Sequence, residues 1–360
     1  MTRVIFAGGG TAGHIEPALS VARTWKQNHP QSEILFLGTE SGLETRLVPE
    51  AGFELALIKK VTLSRSFSPS LLALPFTLIR SVLQAIRIIR SADLVVGFGG
   101  YVSASAYCAA VITRTPFVIH EANARPGIAN RIGARFTRFT AVTHAIDSGS
   151  LSQSLISGLP LRADVTHAYE QAEKDWSTAR NRAKESLGFA SEKPLLFIFG
   201  GSQGSVAINS VIAQSYELLG EKEIQMFHGV GARNEVPAST SYYKAVHYIT
   251  DMATAYLAAD IVISRSGAVT CAEVNTLGKF ALFIPLPIGN GEQELNAGDL
   301  VKQSRAELVS QRDFSQEWLL SNIDRLLQAS HKAPSAGSPA DIAAASKIVA
   351  LMEHALAGGY

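Results

Sequence analysis

The stretch Arg3-Val-Ile-Phe-Ala-Gly-Gly-Gly-Thr-Ala-Gly-His14 decides the fold class that this sequence predicts. A short apolar run, residues 3–7, leads directly into a glycine-rich turn, and a segment with helical periodicity follows at residues 17–26. Glycines at this spacing between a strand and a helix allow a tight turn and let backbone N–H groups approach an anion. The stretch predicts the first strand and helix of a parallel α/β sheet, joined by a turn that is either structural or anion-binding.

The same succession of strand, glycine turn and helix recurs along the 360 residues. Further apolar strands are predicted at residues 34–37, 94–96, 117–120, 195–199 and 261–264. Segments with helical periodicity lie between these strands, as in βα units around parallel sheets. The sequence therefore predicts an α/β protein whose sheets are parallel and doubly wound.

The chain length predicts two domains, at about 150 residues for each. A polar tract interrupts the alternation after residue 161, and a new strand with its own glycine turn begins at Leu195. A second break precedes an Ala-rich helix, for which Ser338 is the predicted N-cap and Pro339 the first helical residue. One face of that helix carries Ile342, Ala345, Val349 and Met352. We expect it to dock on the first domain, so that residues 1–161 with about 338–360 form one domain and residues 162–337 the other.

The composition argues against several classes of protein. With 47% hydrophobic residues and 32 Lys and Arg against 31 Asp and Glu, the chain lacks the signature of disorder and the basic excess of a nucleic-acid-binding protein. Its apolar stretches are shorter than the roughly 20 residues of a membrane span, and no signal peptide is recognisable at its N-terminus. Cys108 and Cys271 lie in apolar segments without metal-ligand spacing, so we expect buried thiols in a reducing, cytosolic compartment.

Two further glycine turns follow predicted strands, Gly97-Phe-Gly-Gly-Tyr-Val-Ser103 and Gly200-Gly-Ser-Gln-Gly204. Because ligands bind at the carboxyl ends of parallel strands, three such turns in two domains favour a ligand that both domains share. Taken alone, the first turn with Glu40 after the second strand also fits a dinucleotide site. An NAD(P)-dependent oxidoreductase therefore stays an alternative, although it leaves the other turns unexplained.

Polar residues next to these turns are the candidates for chemistry. His14 closes the first turn, where an imidazole either exchanges a proton with a substrate or only binds the turn backbone. The segment His120-Glu-Ala-Asn123 follows a strand and either faces a ligand or is solvated. Glu273 lies about two turns into a helix that begins near Ser266-Gly-Ala268, where a carboxylate either accepts hydrogen bonds from ribose hydroxyls or is a solvated surface charge.

Taken together, these motifs resemble those of the MurG glycosyltransferases of bacterial cell-wall synthesis, glycosyltransferase family 28. The resemblance runs in order along nearly the whole chain and rests on the His14 turn, Gly99-Gly-Tyr-Val-Ser103, His120-Glu121 with Asn123, Pro160 with Arg162, Gly200-Gly-Ser-Gln-Gly204, Asp251-Met252, Arg265-Ser-Gly-Ala268, Glu273, and Gln293 with Asn296. It implies the GT-B fold, with two Rossmann-like domains facing a deep cleft and the C-terminal helix returning to the first domain. It also implies transfer of GlcNAc, with inversion, from UDP-GlcNAc to undecaprenyl-pyrophosphoryl-MurNAc-pentapeptide (lipid I), which makes lipid II.

The resemblance also implies which residues bind the donor. Glu273 would hold the ribose hydroxyls, the backbone of Ile249 the uracil, and Ser202 with the turn ending at Ala268 the nucleotide and its pyrophosphate. Asn123, Arg162 and Gln293 would orient the sugar and phosphates. The complete implied donor set is Thr11, Ala12, Gly13, Asn123, Arg162, Ser202, Ile249, Ala268, Glu273 and Gln293.

On the acceptor side, the resemblance implies that the first two glycine turns cradle the pyrophosphate of lipid I. The residues concerned are Gly9, Gly10, Gly99, Gly100 and Tyr101. His14 is the candidate general base for the attacking hydroxyl. The sequence has no Asp-x-Asp motif, so neither a donor-bound metal nor a tightly bound cofactor is expected, and helix N-termini with Arg162 would stabilise the leaving diphosphate.

Four positions depart from the family pattern. Ala12 replaces a glycine, Ala122 a glutamine, Leu159 an asparagine, and Lys279-Phe280 the usual Leu-Pro. A Cβ at Ala12 would crowd the acceptor phosphate if that residue needed a positive φ. None of these departures removes a residue with an implied chemical role.

A lipid-linked acceptor implies contact with a membrane surface. Residues 67–78 are unusually apolar for a loop, and Arg65 and Arg80 flank them. We expect this segment to lie peripherally on the inner leaflet, at the cytoplasmic face of the cell membrane. The predicted patch consists of Leu71, Leu72, Leu74, Phe76, Ile79 and Arg80. In later turns of the same helix, the apolar side with Ile86 and Ile89 is expected to face the core.

The expected partners are therefore UDP-GlcNAc, lipid I and this membrane surface, together with other cell-wall synthesis or division proteins. No nucleic acid is expected. The third hypothesis, beside the transferase and the oxidoreductase, is a scaffold that binds a sugar nucleotide without catalysis. Such a scaffold would retain Glu273 but have little use for His14.

Overall fold

The computed structural model describes residues 1–61, 70–201, 203–287 and 291–358 and, of residues 70–75, the backbone alone. Several predicted residues lie outside this description: Arg65, residues 67–69, Ser202, and the side chains of Leu71, Leu72 and Leu74. The chain divides into two compact units, Met1–Arg162 with Asp341–Tyr360, and Ala163–Ala340. The names unit 1 and unit 2 denote these two parts.

Unit 1 contains one sheet of seven parallel strands. Its elements up to Arg162 are β1 (Arg3–Ala7), α1 (Ala12–Asn28), β2 (Glu33–Gly38), α2 (Glu44–Glu50), β3 (Glu54–Leu57), α3 (Ser70–Ile89), β4 (Leu94–Gly97), α4 (Gly100–Thr113), β5 (Phe117–Glu121), α5 (Ile128–Gly133), β6 (Thr140–Val142) and β7 (Leu155–Ile156). The strand order is β3-β2-β1-β4-β5-β6-β7. Because β1 and β4 are neighbours, the glycine turns that follow them lie side by side at the point where the strand order reverses, where α/β sheets bind ligands.

Unit 2 contains a second parallel sheet, of six strands. Its elements are α6 (Ala163–Ala172), α7 (Trp176–Ser186), β8 (Leu195–Phe199), α8 (Val206–Glu221), β9 (Gln225–Gly229), β10 (Tyr243–Val246), α9 (Met252–Ala258), β11 (Ile261–Ser264), α10 (Ala268–Thr276), β12 (Phe280–Phe283), α11 (Glu292–Asn296), α12 (Gly298–Lys302), β13 (Ala306–Leu308) and α13 (Gln316–Lys332). The order β10-β9-β8-β11-β12-β13 makes β8 and β11 neighbours, so their turns also lie side by side. The predicted class of doubly wound parallel sheets is confirmed.

The central strands are buried on both faces, which explains their continuous apolar runs. In β1, Val4 and Phe6 pack into a core that contains Trp25 of α1, whereas Ile5 and Ala7 pack into a second core with residues of α3 and α4. This alternation is the two-residue period of a strand. The sheet of unit 1 therefore forms the middle of three layers.

The last helix, α14 (Ala344–Gly358), packs against α1 in unit 1, with Val349 and Met352 buried. Its predicted start is wrong, because Ser338 and Pro339 are not helical. The Ser338 N–H donates to Asn275 O at 3.1 Å, and the buried carboxylate of Asp341 accepts from Leu159 N at 2.8 Å. These two contacts fix the intervening chain in a non-helical path.

The two cysteines differ in burial. Cys271 is buried, whereas Cys108 lies on the exposed face of α4, so the prediction that both thiols are buried is wrong for Cys108. Because α4 is apolar on all sides, its sequence does not indicate which face is exposed to solvent. In the described ranges, no helix is both long and apolar enough to cross a membrane.

Candidate active site

The turn after β1 is held by a buried carboxylate that sequence reasoning did not identify. Glu44, the first residue of α2, accepts a hydrogen bond from Gly10 N on Oε2 (2.9 Å) and two from the backbone N and hydroxyl of Thr39 on Oε1 (2.9 and 3.0 Å). Three glycines leave room for its side chain, since a Cβ would come into conflict with it at Gly9, Gly38 and Gly42. Glu44 therefore joins the turns after β1 and β2, and the only sign of it in the sequence is one acid placed among glycines.

The first glycine turn meets a different acid from the one on which the dinucleotide alternative depends. Glu40, the acid on which that alternative depends, is exposed after β2. The acid that reaches the first glycine turn is Glu44, and it accepts hydrogen bonds from the protein's own backbone. Within the described ranges, no three His, Cys, Asp or Glu side chains cluster as metal ligands would.

His14 lies partly buried in the first turn of α1. Its Nδ1 is 3.3 Å from Gly9 O and 3.4 Å from Thr11 Oγ1. A carbonyl oxygen only accepts hydrogen bonds, so the contact with Gly9 O favours the tautomer that carries the proton on Nδ1 and the lone pair on Nε2. No described residue forms a hydrogen bond with Nε2. The geometry thus presents Nε2 as a proton acceptor.

The turn after β4 packs against the His14 ring. Gly99 and Gly100 have φ values of 92° and 78°, and a Cβ there would lie 3.4 and 3.5 Å from the ring. The Ser103 hydroxyl lies 2.7 Å from Ala7 O and 2.8 Å from Gly99 O, which ties this turn to the end of β1. A Cβ at Gly10 would lie 3.4 Å from the Tyr101 hydroxyl. The structure therefore brings together the predicted acceptor residues and His14 within unit 1.

His120 and Glu121, the last two residues of β5, are buried, so they are not the solvated loop residues that the sequence left open. Glu121 Oε1 accepts from the backbone and side chain of Asn123 (2.9 and 3.1 Å), and Oε2 accepts from Gly127 N and Asn130 Nδ2 (2.8 and 3.0 Å). Burial lowers the pKa of His120 to about 4, which keeps this imidazole neutral. Glu121 thus fixes the position of Asn123, the predicted donor residue.

In unit 2, the turn after β8 leads into α8 with tight backbone packing. Gly201 and Gly204 have φ values of 91° and 76°, and a Cβ at Gly204 would lie 3.0 Å from Gly231 Cα. Ser205 caps α8, its hydroxyl accepting from Ile208 N at 3.4 Å. The first N–H groups of a helix have no partner within the helix, and Ser205 supplies one for the N–H of Ile208.

Arg265 connects three turns of unit 2 through its guanidinium. Nη1 donates to Ile284 O and Pro285 O (2.9 and 3.2 Å), and Nη2 donates to Ser205 Oγ (2.9 Å) and to the side chain of Gln311. Burial lowers the pKa of this guanidinium. Four of its five N–H donors are therefore bound by the protein itself, and Arg265 shapes the turn that the resemblance assigns to the pyrophosphate.

The helix after that turn carries Ala268 and Glu273. Gly267 occupies the N-cap position of α10 without a side-chain cap, which leaves the first-turn N–H groups uncapped by a side chain. Glu273 is only 1% exposed, so it is not the solvated surface charge that the sequence left open. Ile249 is buried, and a Cβ at Gly229 would lie 3.0 Å from its side chain, so that side chain packs inside the unit.

The short helix α11 is tied to neighbouring turns by amide side chains. Gln293 Oε1 accepts from Leu286 N at 2.9 Å, and Asn296 Nδ2 donates to Ser266 O at 3.4 Å. Gln293 and the turn before α10 therefore belong to one connected group. Arg162 is the last residue of the first stretch of unit 1 and is partly buried.

Three of the four departures from the family pattern place a small or apolar residue where the fold accommodates it, and the fourth buries a lysine. Ala12 is the first residue of α1, and its φ is not positive. Its Cβ therefore causes no backbone strain. Ala122 and Leu159 are buried. Lys279 is also buried, with Nζ donating to Leu257 O at 2.8 Å, and burial, with Arg180 nearby, holds its pKa well below the usual range.

Comparison with known proteins identifies the family. Residues 4–142 match the glycosyltransferase family 28 N-terminal domain, and residues 195–352 match the family 28 C-terminal domain. The chain is 43% identical over 333 residues, 91% of its length and 90% of the relative's, to a Corynebacterium glutamicum (strain R) protein named UDP-N-acetylglucosamine--N-acetylmuramyl-(pentapeptide) pyrophosphoryl-undecaprenol N-acetylglucosamine transferase. The chain belongs to glycosyltransferase family 28. A Streptomyces coelicolor family member of the same name is also 43% identical, over 91% of this chain and 90% of its own.

Solved structures agree with the family 28 assignment. Acinetobacter baumannii MurG is 26% identical, with a TM-score of 0.71 over 98% of this chain and all of that one. The S. aureus MnaA–UDP structure, 11% identical with a TM-score of 0.67 over 99% of this chain and 97% of that one, shows a likeness of fold alone. The GT-B fold class implied by the family resemblance is confirmed.

Proposed function

We propose that this protein is an inverting glycosyltransferase that transfers GlcNAc from UDP-GlcNAc to lipid I, making lipid II for peptidoglycan synthesis. The observation that carries the proposal is the 43% identity to the Corynebacterium glutamicum relative over 91% of the chain, because that relative's name states this transfer. The proton-accepting geometry of His14 adds a chemical reason. The oxidoreductase and scaffold alternatives explain neither observation.

Unit 2 is the proposed donor domain. Glu273 holds the ribose hydroxyls, the Ile249 backbone contacts the uracil, and the turn ending at Ala268 binds the pyrophosphate, with Ser202 contributing from the turn after β8. Gln293 orients the sugar. The remaining proposed donor contacts belong to unit 1: Thr11, Ala12, Gly13, Asn123 and Arg162.

Unit 1 is the proposed acceptor domain, with His14 as the base. Nε2 accepts the proton of the attacking hydroxyl, whose oxygen bonds to the anomeric carbon as the bond from that carbon to the UDP oxygen breaks. UDP leaves with the bonding electron pair, and Arg162 with helix N–H groups stabilises its charge without a tightly bound metal. The acceptor pyrophosphate lies against Gly9, Gly99, Gly100 and Tyr101, since the Gly10 N–H is already bound to Glu44.

The direct test is turnover by the purified protein with UDP-GlcNAc and a soluble lipid I analogue, followed by UDP release and by mass of the disaccharide product. We expect turnover that persists in a metal chelator, and thermal stabilisation by UDP-GlcNAc but not by NAD. Stabilisation by NAD alone would overturn the proposal. Binding of UDP-GlcNAc without any turnover would identify a scaffold instead.

The assignment of His14 as the base is tested by His14→Ala. We expect kcat to fall by about 10²–10⁴-fold, the usual contribution of a positioned base, with little change in UDP-GlcNAc affinity. The exposed His167 of unit 2 supplies a matched control, and His167→Ala should leave kcat unchanged. A loss of donor affinity with nearly normal turnover would make His14 a binding residue.

We also propose that α3 docks unit 1 on the cytoplasmic face of the cell membrane. Phe76 and Ile79 are 76% and 57% exposed, next to the exposed Arg80, whereas Ile86 and Ile89 in the later turns face the core. Exposed apolar side chains beside a cation suit the boundary of an anionic bilayer.

Flotation with vesicles that contain anionic lipid tests this surface. The double variant Phe76→Asp, Ile79→Asp should lose most of its vesicle binding while keeping its thermal transition. The double variant Leu218→Asp, Val301→Asp, at 42% and 39% exposed positions of unit 2, introduces the same two charges elsewhere and should float like the wild type. Unchanged flotation of the folded double variant would refute this surface.

A further inference from the structure

A buried carboxylate, one peptide unit and the His14 imidazole form a continuous hydrogen-bonded chain in unit 1. The Gly10 N–H donates to Glu44 Oε2 at 2.9 Å, and the oxygen of the same peptide unit, Gly9 O, lies 3.3 Å from His14 Nδ1. We propose that Glu44 is a positioning residue that acts on His14 through the Gly9–Gly10 peptide. It fixes the tautomer with the proton on Nδ1 and strengthens Nε2 as a proton acceptor. Its catalytic consequence rests on the proposed function, in which His14 is the base.

The chemistry of the relay follows from hydrogen-bond cooperativity. A carboxylate that accepts from a peptide N–H polarises that peptide, and its carbonyl becomes a stronger acceptor. The carbonyl then binds the Nδ1 proton more tightly, which makes the opposite ring nitrogen more basic, as carboxylates do for histidines that they contact directly. Glu44 is fully buried, so water does not screen its charge from this peptide.

The position of Glu44 is fixed by hydrogen bonds on both carboxylate oxygens and by glycines that pack against its side chain. Its second oxygen, Oε1, accepts from both the backbone N and the hydroxyl of Thr39, which leaves Oε2 directed at Gly10. A Cβ at Gly9 would lie 2.8 Å from Oε1, and a Cβ at Gly42 would overlap the carboxylate. Glycine loses more conformational entropy on folding than any other residue. Its use at these positions therefore favours a requirement to keep the carboxylate in one place.

The substitution Glu44→Gln tests the relay in the full-length protein. A carboxamide keeps one acceptor oxygen, so one N–H donor now faces an NH₂ group. We expect kcat to fall by about 10–100-fold, the usual effect of losing such a partner, with the KM for UDP-GlcNAc changed by less than about threefold. The acid limb of the kcat/KM profile should move to lower pH, because the base is weaker. Loss of kcat with an unmoved pH profile would give Glu44 a purely structural role and overturn the inference.

The matched control is Glu50→Gln, which removes the same charge from the exposed end of the same helix. This variant should keep the kcat, KM and pH profile of the wild type. If it shifts the profile as Glu44→Gln does, the effect comes from net charge and the relay is refuted.

The tautomer of His14 in the wild-type protein is a measurement that needs neither a stable variant nor turnover. Nuclear magnetic resonance of protein labelled with nitrogen-15 histidine should show the Nδ1–H tautomer for His14, and a predominant Nε2–H tautomer would overturn the relay. An Nδ1–H tautomer that is lost in Glu44→Gln, in a protein that does not transfer GlcNAc, would uphold the relay and refute the proposed function. If the protein transfers GlcNAc and Glu44→Gln changes neither the His14 tautomer nor the pH profile, the proposed function is upheld and the relay is refuted.

Discussion

Arg265 shows at the scale of one residue how the donor turn of unit 2 is held. Four acceptors surround its guanidinium, and two of them are backbone carbonyls, Ile284 O and Pro285 O. A lysine has one ammonium group and cannot reach all of them. We expect Arg265→Lys to lower the free energy of unfolding by about 2 kcal/mol, since buried acceptors lose their donors, and to weaken UDP-GlcNAc binding.

Urea unfolding and calorimetric titration with UDP-GlcNAc measure the two effects. Arg312→Lys is the matched control, because Arg312 is exposed and its ion pair with Asp313 contributes little. Equal stability of Arg265→Lys and the wild type would show that the guanidinium contacts contribute nothing to the turn.

Single residues also mark the limit of prediction from the sequence. His14 could be placed at the first glycine turn because the strand, turn and helix are adjacent in the chain. Glu44 could not, because its burial depends on glycines at positions 9, 38 and 42, which only the folded sheet brings together. The same holds for Glu121, since a strand end alone does not say whether a carboxylate faces solvent or the backbone of the next loop.

At the scale of elements, α14 is secured to unit 1 by a few large side chains. Met352 is fully buried in the core that also contains Trp25 of α1. We expect Met352→Ala to lower the free energy of unfolding by about 2–5 kcal/mol, because it leaves a cavity between α14 and α1. Ser346→Ala on the exposed side of the same helix should have almost no effect, and chemical unfolding measures both. A small loss for Met352→Ala would mean that α14 adds little to the stability of unit 1.

Elements were predictable from the sequence where local pattern decides them. The strands β1, β4, β8 and β11 are continuous apolar runs buried on both faces, so composition alone identifies them. The edge strand β7 has only two residues, both exposed, and its pairing with β6 rather than its composition defines it. The start of α14 was missed for a related reason, because Asp341 is bound to Leu159, a residue far away in the sequence.

At the scale of the whole molecule, each unit carries a buried neutral histidine. Burial lowers the pKa of His120 in unit 1 and of His228 in unit 2 to about 4. His228 lies 2.8 Å from the Tyr243 hydroxyl and 3.1 Å from Asn209 Oδ1, both uncharged groups. His120 Nε2 lies 3.1 Å from Gly158 O, so the hydrogen-bond partners described for the two imidazoles include no carboxylate that would stabilise the protonated form.

This pair of histidines makes the whole protein sensitive to acid. In the unfolded chain both imidazoles take up protons near pH 6.5, whereas in the folded chain they stay neutral down to about pH 4. The unfolded state thus binds more protons in this window, so stability is full above pH 6.5 and falls as the pH drops, by up to roughly 3 kcal/mol for each histidine. The raised pKa of Asp341 acts in the opposite direction, because the folded state protonates that carboxyl first.

Urea unfolding between pH 7 and pH 4.5, followed by tryptophan fluorescence, measures the slope. We expect His228→Gln to flatten the dependence by about half, because it removes the proton uptake of unit 2 and leaves that of His120. His167→Gln, at an exposed position on α6, should keep the full slope. If His228→Gln unfolds with the wild-type slope, the acid sensitivity belongs to carboxylates, and the buried histidines then contribute nothing to the stability difference between neutral and acid pH.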